Sequence, residues 1–250
     1  MSTADYLWFG AGLVVLTAAT STVAYAAGVW LGWLPARSIA RATIQLTVVA
    51  LLLRGVLDVA WTVGAFLALM AVTASWTASG RLRELWHGRR AAVVGVVSGA
   101  TVSLVLIFAL GLVDLQVRYL VATAGIIIGN SMSAATLSGR NFLRGARQRR
   151  DEVEGWLALG ATPATAHLEI GQEAVRESLL PNLDQTRSTG LVTLPGAFVG
   201  ALFGGASPAQ AAQFQLVVLA GIALSMTTCG VIVSRMLSRT PYVTGTAESA

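Results

Sequence analysis

Of the 250 residues, 55% are hydrophobic and 12% charged, with a mean hydropathy of +0.69, whereas a soluble domain usually carries about 25% charged residues. The apolar residues come in runs of about 20, the length a helix needs to cross a hydrocarbon core of ~30 Å, and so much apolar surface exceeds what one soluble core can bury. The net charge of +5 rests on arginine alone, since the chain holds no lysine, and a single cysteine excludes an intrachain disulfide and any multi-thiolate metal cage.

The N-terminal MSTADYLWFG has no basic region before its apolar stretch, so it reads as an uncleaved first span rather than a cleavable signal. Seven spans are expected: 7–34, 39–57, 60–79, 91–113, 117–137, 189–205 and 211–237. The fold class is therefore all-α and polytopic, with one transmembrane domain over residues 1–240. The closing stretch 241–250 has the makeup of a disordered tail.

Arginine placement sets the expected orientation. With the loop RLRELWHGRR in the cytoplasm and sides alternating outward from it, 15 of the 17 arginines lie inside, leaving Arg54 and Arg118 outside. The positive-inside rule then puts the N-terminus outside and the C-terminus in the cytoplasm. It also accounts for the positive charge without any nucleic acid partner.

Between the fifth and sixth spans lies the one sizeable polar stretch, 139–187, expected to be a cytoplasmic helical hairpin. RNFLRGARQRRDEVEGWLALG carries a mixed-charge helical pattern with Val153, Trp156, Leu157 and Leu159 on an apolar side. Gly160 suits a break with positive φ, Thr162 an N-cap and Pro163 the first helical position. A second helix is expected from there to Leu180, stopping before Pro181. By pattern alone the hairpin either docks a partner or merely links two spans.

Two resemblances sharpen this. The cytoplasmic loop of ABC importer membrane subunits follows E-A-A-x3-G-x9-I-x-L-P; here Glu154, Gly160 and Ile170 keep the spacing, but Gly155 and Trp156 replace the alanines and a Leu-Pro pair, Leu180–Pro181, comes only ten residues after Ile170. RSIARATIQL at 37–46, GIIIGNSMSAATL at 125–137, LGATPATA at 159–166 and RESLLPNLDQTRSTGLVTLPG at 176–196 occur in the order and at the intervals of another family. On these the chain resembles the FetB-type iron-export ABC transporter permeases, related to plant aluminium-tolerance half-transporters. The resemblance implies a homodimeric permease of the bacterial cytoplasmic (inner) membrane that moves a metal ion. It would bind no cofactor itself and work with a separate ABC-type ATPase subunit holding ATP and Mg²⁺. The chain has no G-x4-G-K-[ST] phosphate loop, in keeping with a non-enzymatic subunit. On the same resemblance Glu154, Trp156, Leu159, Gly160, Ala161, Thr162 and Pro163 would couple the ATPase to the spans.

Candidate residues for the translocation path are polar groups in or beside spans. Arg41 and Gln45 lie four apart on one helix face, suited equally to a transport role or a bond between helices. Asn130 and Ser131, with Ser133, offer oxygen ligands to a hard cation or ordinary interhelical hydrogen bonds. Asp184 either meets a cation or, more plainly, pairs with Arg187. Met132, Met226 and Cys229 read first as packing residues, and His87 and His167 form no ligand pair, so no resident metal site is expected. Gly196, Gly200 and Gly204 form a G-x3-G-x3-G face for close helix packing, and Pro195 is placed to break the sixth span beside a substrate path. Two other functions fit the composition: an ATP-independent membrane scaffold, and a secondary metal or cation transporter. The latter should carry acidic relays deep in the bilayer, where the expected spans place none.

Overall fold

The computed structural model describes residues 3–56 and 60–240, and the expected disordered tail, 241–250, lies outside them. The described residues form helices and the turns between them, without a strand, and fall into two compact units, Met1–Ala60 and Trp61–Ala250. In the first unit α1 (Thr3–Ala26) and α2 (Leu34–Val56) pack on each other. The second unit holds α3 (Ala60–Arg81), α4 (Gly88–Ala109), α5 (Val117–Gln148), α6 (Arg150–Ala158), α7 (Pro163–Ala166), α8 (Leu168–Ser188), α9 (Gly196–Phe203) and α10 (Pro208–Leu237).

Within the second unit α10 is the central rod, touched by α4, α5, α8 and α9. Its line of small residues explains why. At Gly99 of α4 an added Cβ would lie 2.5 Å from the Ser225 carbonyl oxygen, and at Gly95 it would meet Val233 and Cys229. Ser103 donates to the Gly221 carbonyl at 2.8 Å across the same seam. Lipid tails are as apolar as leucine, so helices in a bilayer gain little by hiding apolar surface from each other and depend on such close backbone approach.

The seam contacts also give direction. Gly95 and Gly99 face progressively earlier residues of α10, so α4 and α10 run antiparallel. Along α5 the partners rise together, Ile127 lying against Gly221 and Ser138 against Gly230, so α5 and α10 run parallel. Helix α8 descends against both: Ile170 lies on Gly145, Gly171 on Ser234, and Ser138 donates to Ser178 at 3.0 Å. One end of the unit therefore gathers Arg81, Arg89 and Arg90 with Arg140, Arg144, Arg147 and Arg235, while Arg118 sits at the opposite end.

Five helices are long and apolar enough to cross a bilayer: α1 over Leu7–Ala26, α3 over Trp61–Arg81, α4, α5 and α10. Length and hydropathy among the described residues thus stop short of the expected seven. The remaining expected span in the first unit is α2, which carries Arg37, Arg41 and Arg54 within 23 residues. The expected sixth span, 189–205, is not one helix, because its only helical part is the eight-residue α9, about 12 Å long.

Two further expectations are corrected. Residues 139–148 continue the fifth span's helix, and the chain breaks at Arg149 before restarting as α6. The helix expected to end at Leu180 instead breaks early, at His167, and then runs through Pro181 to Ser188. Proline forfeits one intrahelical hydrogen bond there, but Ile170, Ala174 and Ser178, packed against α5 and α10, hold the helix up to it.

The seam makes a direct prediction. Gly99→Val should push α4 off α10 and destabilise the protein by about 1–3 kcal/mol, read as a lower melting temperature in detergent, whereas Gly12→Val on α1, where an added Cβ meets nothing within 4 Å, should leave it nearly unchanged.

A broken helical crossing and the cavity beside it

Between α8 and α9 the backbone leaves helical geometry over residues 189–195. Its polar groups are satisfied locally. Gly190 N–H donates to the Thr193 carbonyl at 2.9 Å and Val192 N–H to the Ser188 carbonyl at 3.1 Å, while the Thr189 hydroxyl returns to the Gln185 carbonyl at 2.9 Å. Pro195 then caps α9 with extended geometry, but it brings no side-chain acceptor for the free N–H groups of the first turn. The nearly buried Gln215 of α10 supplies one, its Oε1 accepting from Phe198 N–H at 3.1 Å. The break is thus braced by the central rod.

Around this break lies a cavity of about 1150 Å³, lined by the α4–α5 loop, α5, the C-terminal part of α8, α9 and the first half of α10. It brings together several of the expected residues. Asn130 lines it, with its Nδ2 donating to the Ile126 carbonyl at 2.8 Å, and so do Pro195, Gly196, Gly200 and Gly204. An added Cβ on Gly196 or Gly200 would meet nothing within 4 Å. Within this chain the glycine face therefore opens onto the cavity instead of pressing against a helix.

Other expected residues lie elsewhere. Ser131 is fully buried, its carbonyl accepting from the Cys229 thiol at 3.2 Å, and Met132 packs against the core. Asp184 is exposed and pairs with Arg187 at 3.4 Å, the plainer of its two readings. Arg41 and Gln45 are exposed on α2 of the first unit. Among the described residues no group of three His, Cys, Asp or Glu side chains is placed to hold a metal ion.

Sequence reasoning missed two residues, Asn182 and Gln215, and read a third, His167, only as forming no ligand pair. Asn182 lines the cavity, and its buried Oδ1 has no hydrogen-bond partner among the described residues. Gln215 stands in AQFQLVVLAG, and an amide inside so apolar a run was the available signal. His167 is fully buried, its Nδ1–H donating to the Pro163 carbonyl at 2.8 Å and its ring against Phe142.

The coupling candidates form a protruding turn. Gly160 has φ +87°, a conformation that costs an L-residue with a Cβ roughly 1–2 kcal/mol. Thr162 caps α7 by accepting from Thr165 N–H at 3.3 Å, with Pro163 at its first position. Val153 anchors α6 from below at 1% exposure, while Trp156 at 48% and Leu159 at 83% face outward beside Gly160 and Ala161. Glu154 is held by Arg150 at 2.8 Å. Arg149, at the break after α5, clamps α6 to α8 through Glu152 at 2.7 Å and Glu169 at 2.8 Å. The hydrogen bond from Arg149 is the main reason the Glu152 carboxyl sits below its usual range.

Five membrane-length helices, a central small-residue seam and a helical break beside a cavity define a polytopic α-helical membrane protein. The chain belongs to the uncharacterised protein family UPF0014, whose family model matches residues 7–242. It is 33% identical over 211 residues to the UPF0014 membrane protein STAR2 of Oryza sativa subsp. japonica, covering 83% of this chain and 73% of that one. It is 33% identical over 185 residues to the protein ALUMINUM SENSITIVE 3 of Arabidopsis thaliana, covering 73% and 67%. To the probable iron export permease protein FetB of Escherichia coli strain K12 it is 29% identical over 186 residues, covering 72% and 71%. No solved structure matches the chain.

Two measurements test this geometry. Gln215→Leu leaves the Phe198 N–H without its acceptor and should cost about 1–3 kcal/mol, lowering the melting temperature in detergent, while Gln215→Glu keeps an acceptor oxygen and should cost less. Glu152 has a depressed pKa, so its contribution is fully present above the ordinary glutamate value of about 4.3 and is lost as pH falls through the lower folded value. Amide exchange in α6, corrected for its intrinsic pH dependence, should therefore rise below about pH 4, and Glu152→Gln should remove that step.

Proposed function

We propose that this chain is the membrane-spanning permease subunit of an ABC-type exporter for iron or a related metal ion. Residues 1–240 form one permease domain in the bacterial cytoplasmic membrane, with the N-terminus outside and the basic end of the second unit in the cytoplasm. Two copies associate with two separate ATPase subunits, which bind and hydrolyse ATP with Mg²⁺. The chain does no covalent chemistry of its own.

The observation that carries the reading is the turn after α6. A protein with no partner at this end gains nothing by presenting Trp156 and Leu159 to water on a rigidly built bend. Buried anchors (Val153 and His167) and the Arg149 clamp hold that bend in place, as a docking element requires. Family membership and the relative named as a probable iron export permease supply the class of partner and of cargo. The broken crossing supports the transport role, because discontinuous helices expose backbone carbonyls and N–H groups where a cargo passes. As α8 runs alongside the apolar part of α5 to the level of Asn130, the sixth crossing is built from α8, the 189–195 break and α9 together.

Co-expression with candidate ABC-type ATPase subunits, followed by ATP-driven ⁵⁵Fe uptake into inside-out vesicles, tests the proposal. A stable complex and ATP-dependent uptake are expected. Leu159→Ala and Trp156→Ala should each weaken ATPase association by about tenfold or more without changing membrane insertion. Failure of any ATPase to co-purify would leave the permease without an engine and overturn the reading.

A further inference from the structure

The cavity beside the broken crossing has a size and a lining that speak to its cargo. We infer that it carries a metal ion already wrapped in a small hydroxycarboxylate chelator, not a bare ion; this rests on the transport reading above. A water occupies roughly 30 Å³, so a divalent ion with six waters fills about 200 Å³. The cavity, at about 1150 Å³, is several times larger and matches the scale of pockets that enclose organic ligands.

Its lining agrees. Four of its lining residues, Asn130, Asn182, Gln185 and Gln213, carry amides, a group that both donates and accepts, the pairing that hydroxyl and carboxylate oxygens require. The charged residues of the lining are Asp114, in the α4–α5 loop, and Arg118, in the first turn of α5, of opposite sign and both exposed. A bare first-row ion leaving its hydration shell needs carboxylate, imidazole or thiolate ligands to replace it, and one or two amide oxygens do not suffice. A chelator carries its own carboxylates to the metal and neutralises most of its charge, so a neutral amide wall is then enough.

The test uses the permease with its ATPase in inside-out vesicles, supplied in parallel with ⁵⁵Fe(III)–[¹⁴C]citrate and with free ⁵⁵Fe(II). ATP-dependent entry of both labels of the complex in constant ratio is expected, with free ⁵⁵Fe(II) entering at least tenfold more slowly. Asn182→Leu should slow both labels together by about fivefold or more while leaving the yield of the ATPase complex unchanged. Entry of ⁵⁵Fe from the complex without ¹⁴C, or entry of free ⁵⁵Fe(II) as fast as the complex, overturns the inference but leaves the export reading standing. Entry of ¹⁴C alone overturns it as well. Entry of neither label from either source overturns both the inference and the export reading.

Discussion

Close approach of backbones along α10 is the constraint on which the second unit depends. Water drives soluble helices together by expelling apolar surface, but a bilayer offers apolar side chains the same welcome as another helix does. What remains is contact between main chains, and Gly95, Gly99 and Gly221 permit it where any larger residue would hold the helices apart. The seam also lets serines work as short crosslinks: Ser103 reaches the Gly221 carbonyl and Ser138 reaches Ser178. Each bond is modest, but the groups it joins have no water to turn to.

The seam in turn makes the broken crossing affordable. A stretch of irregular backbone among apolar helices must find partners for every N–H and carbonyl it frees. Here turns at residues 188–193 satisfy several internally, and Gln215, fixed by its position on the central rod, answers for the start of α9. A polar side chain in a loop could not hold that geometry. One on a helix packed against four others can.

Several parts of this arrangement were legible in the sequence, each for a local reason. Gly160, Thr162 and Pro163 specify a turn through φ preference, capping and a missing N–H, and the structure builds that turn. Apolar runs with helix-length spacing identify α3, α4, α5 and α10. The sixth crossing was misjudged because its hydropathy is continuous across 189–205, whereas its conformation is decided by contacts with α10. Pro181 misled in the opposite sense, since tertiary packing holds α8 helical through a residue whose local preference is to end it. The glycine face at Gly196–Gly204 shows the limit of spacing rules: small residues permit close approach, but within this chain they instead keep a space open. Asn182 could not be singled out by pattern, as nothing in its neighbours tells a cavity-facing amide from an ordinary surface one.

Helix α8 has a mechanical consequence. Its 21 residues make a rod about 31 Å long, with one end at the Arg149 clamp and the other at the cavity wall. A hydrogen-bonded helix is stiff along its axis, so a displacement of the α6–α7 turn is not absorbed on the way. It arrives at Asn182 and Gln185 as a shift of the wall itself. The one softened joint is at Pro181, a single residue before Asn182, where the missing hydrogen bond lets the last turn bend relative to the shaft. The turn, the shaft and the joint at Pro181 thus lie in sequence toward the amides of the cavity wall.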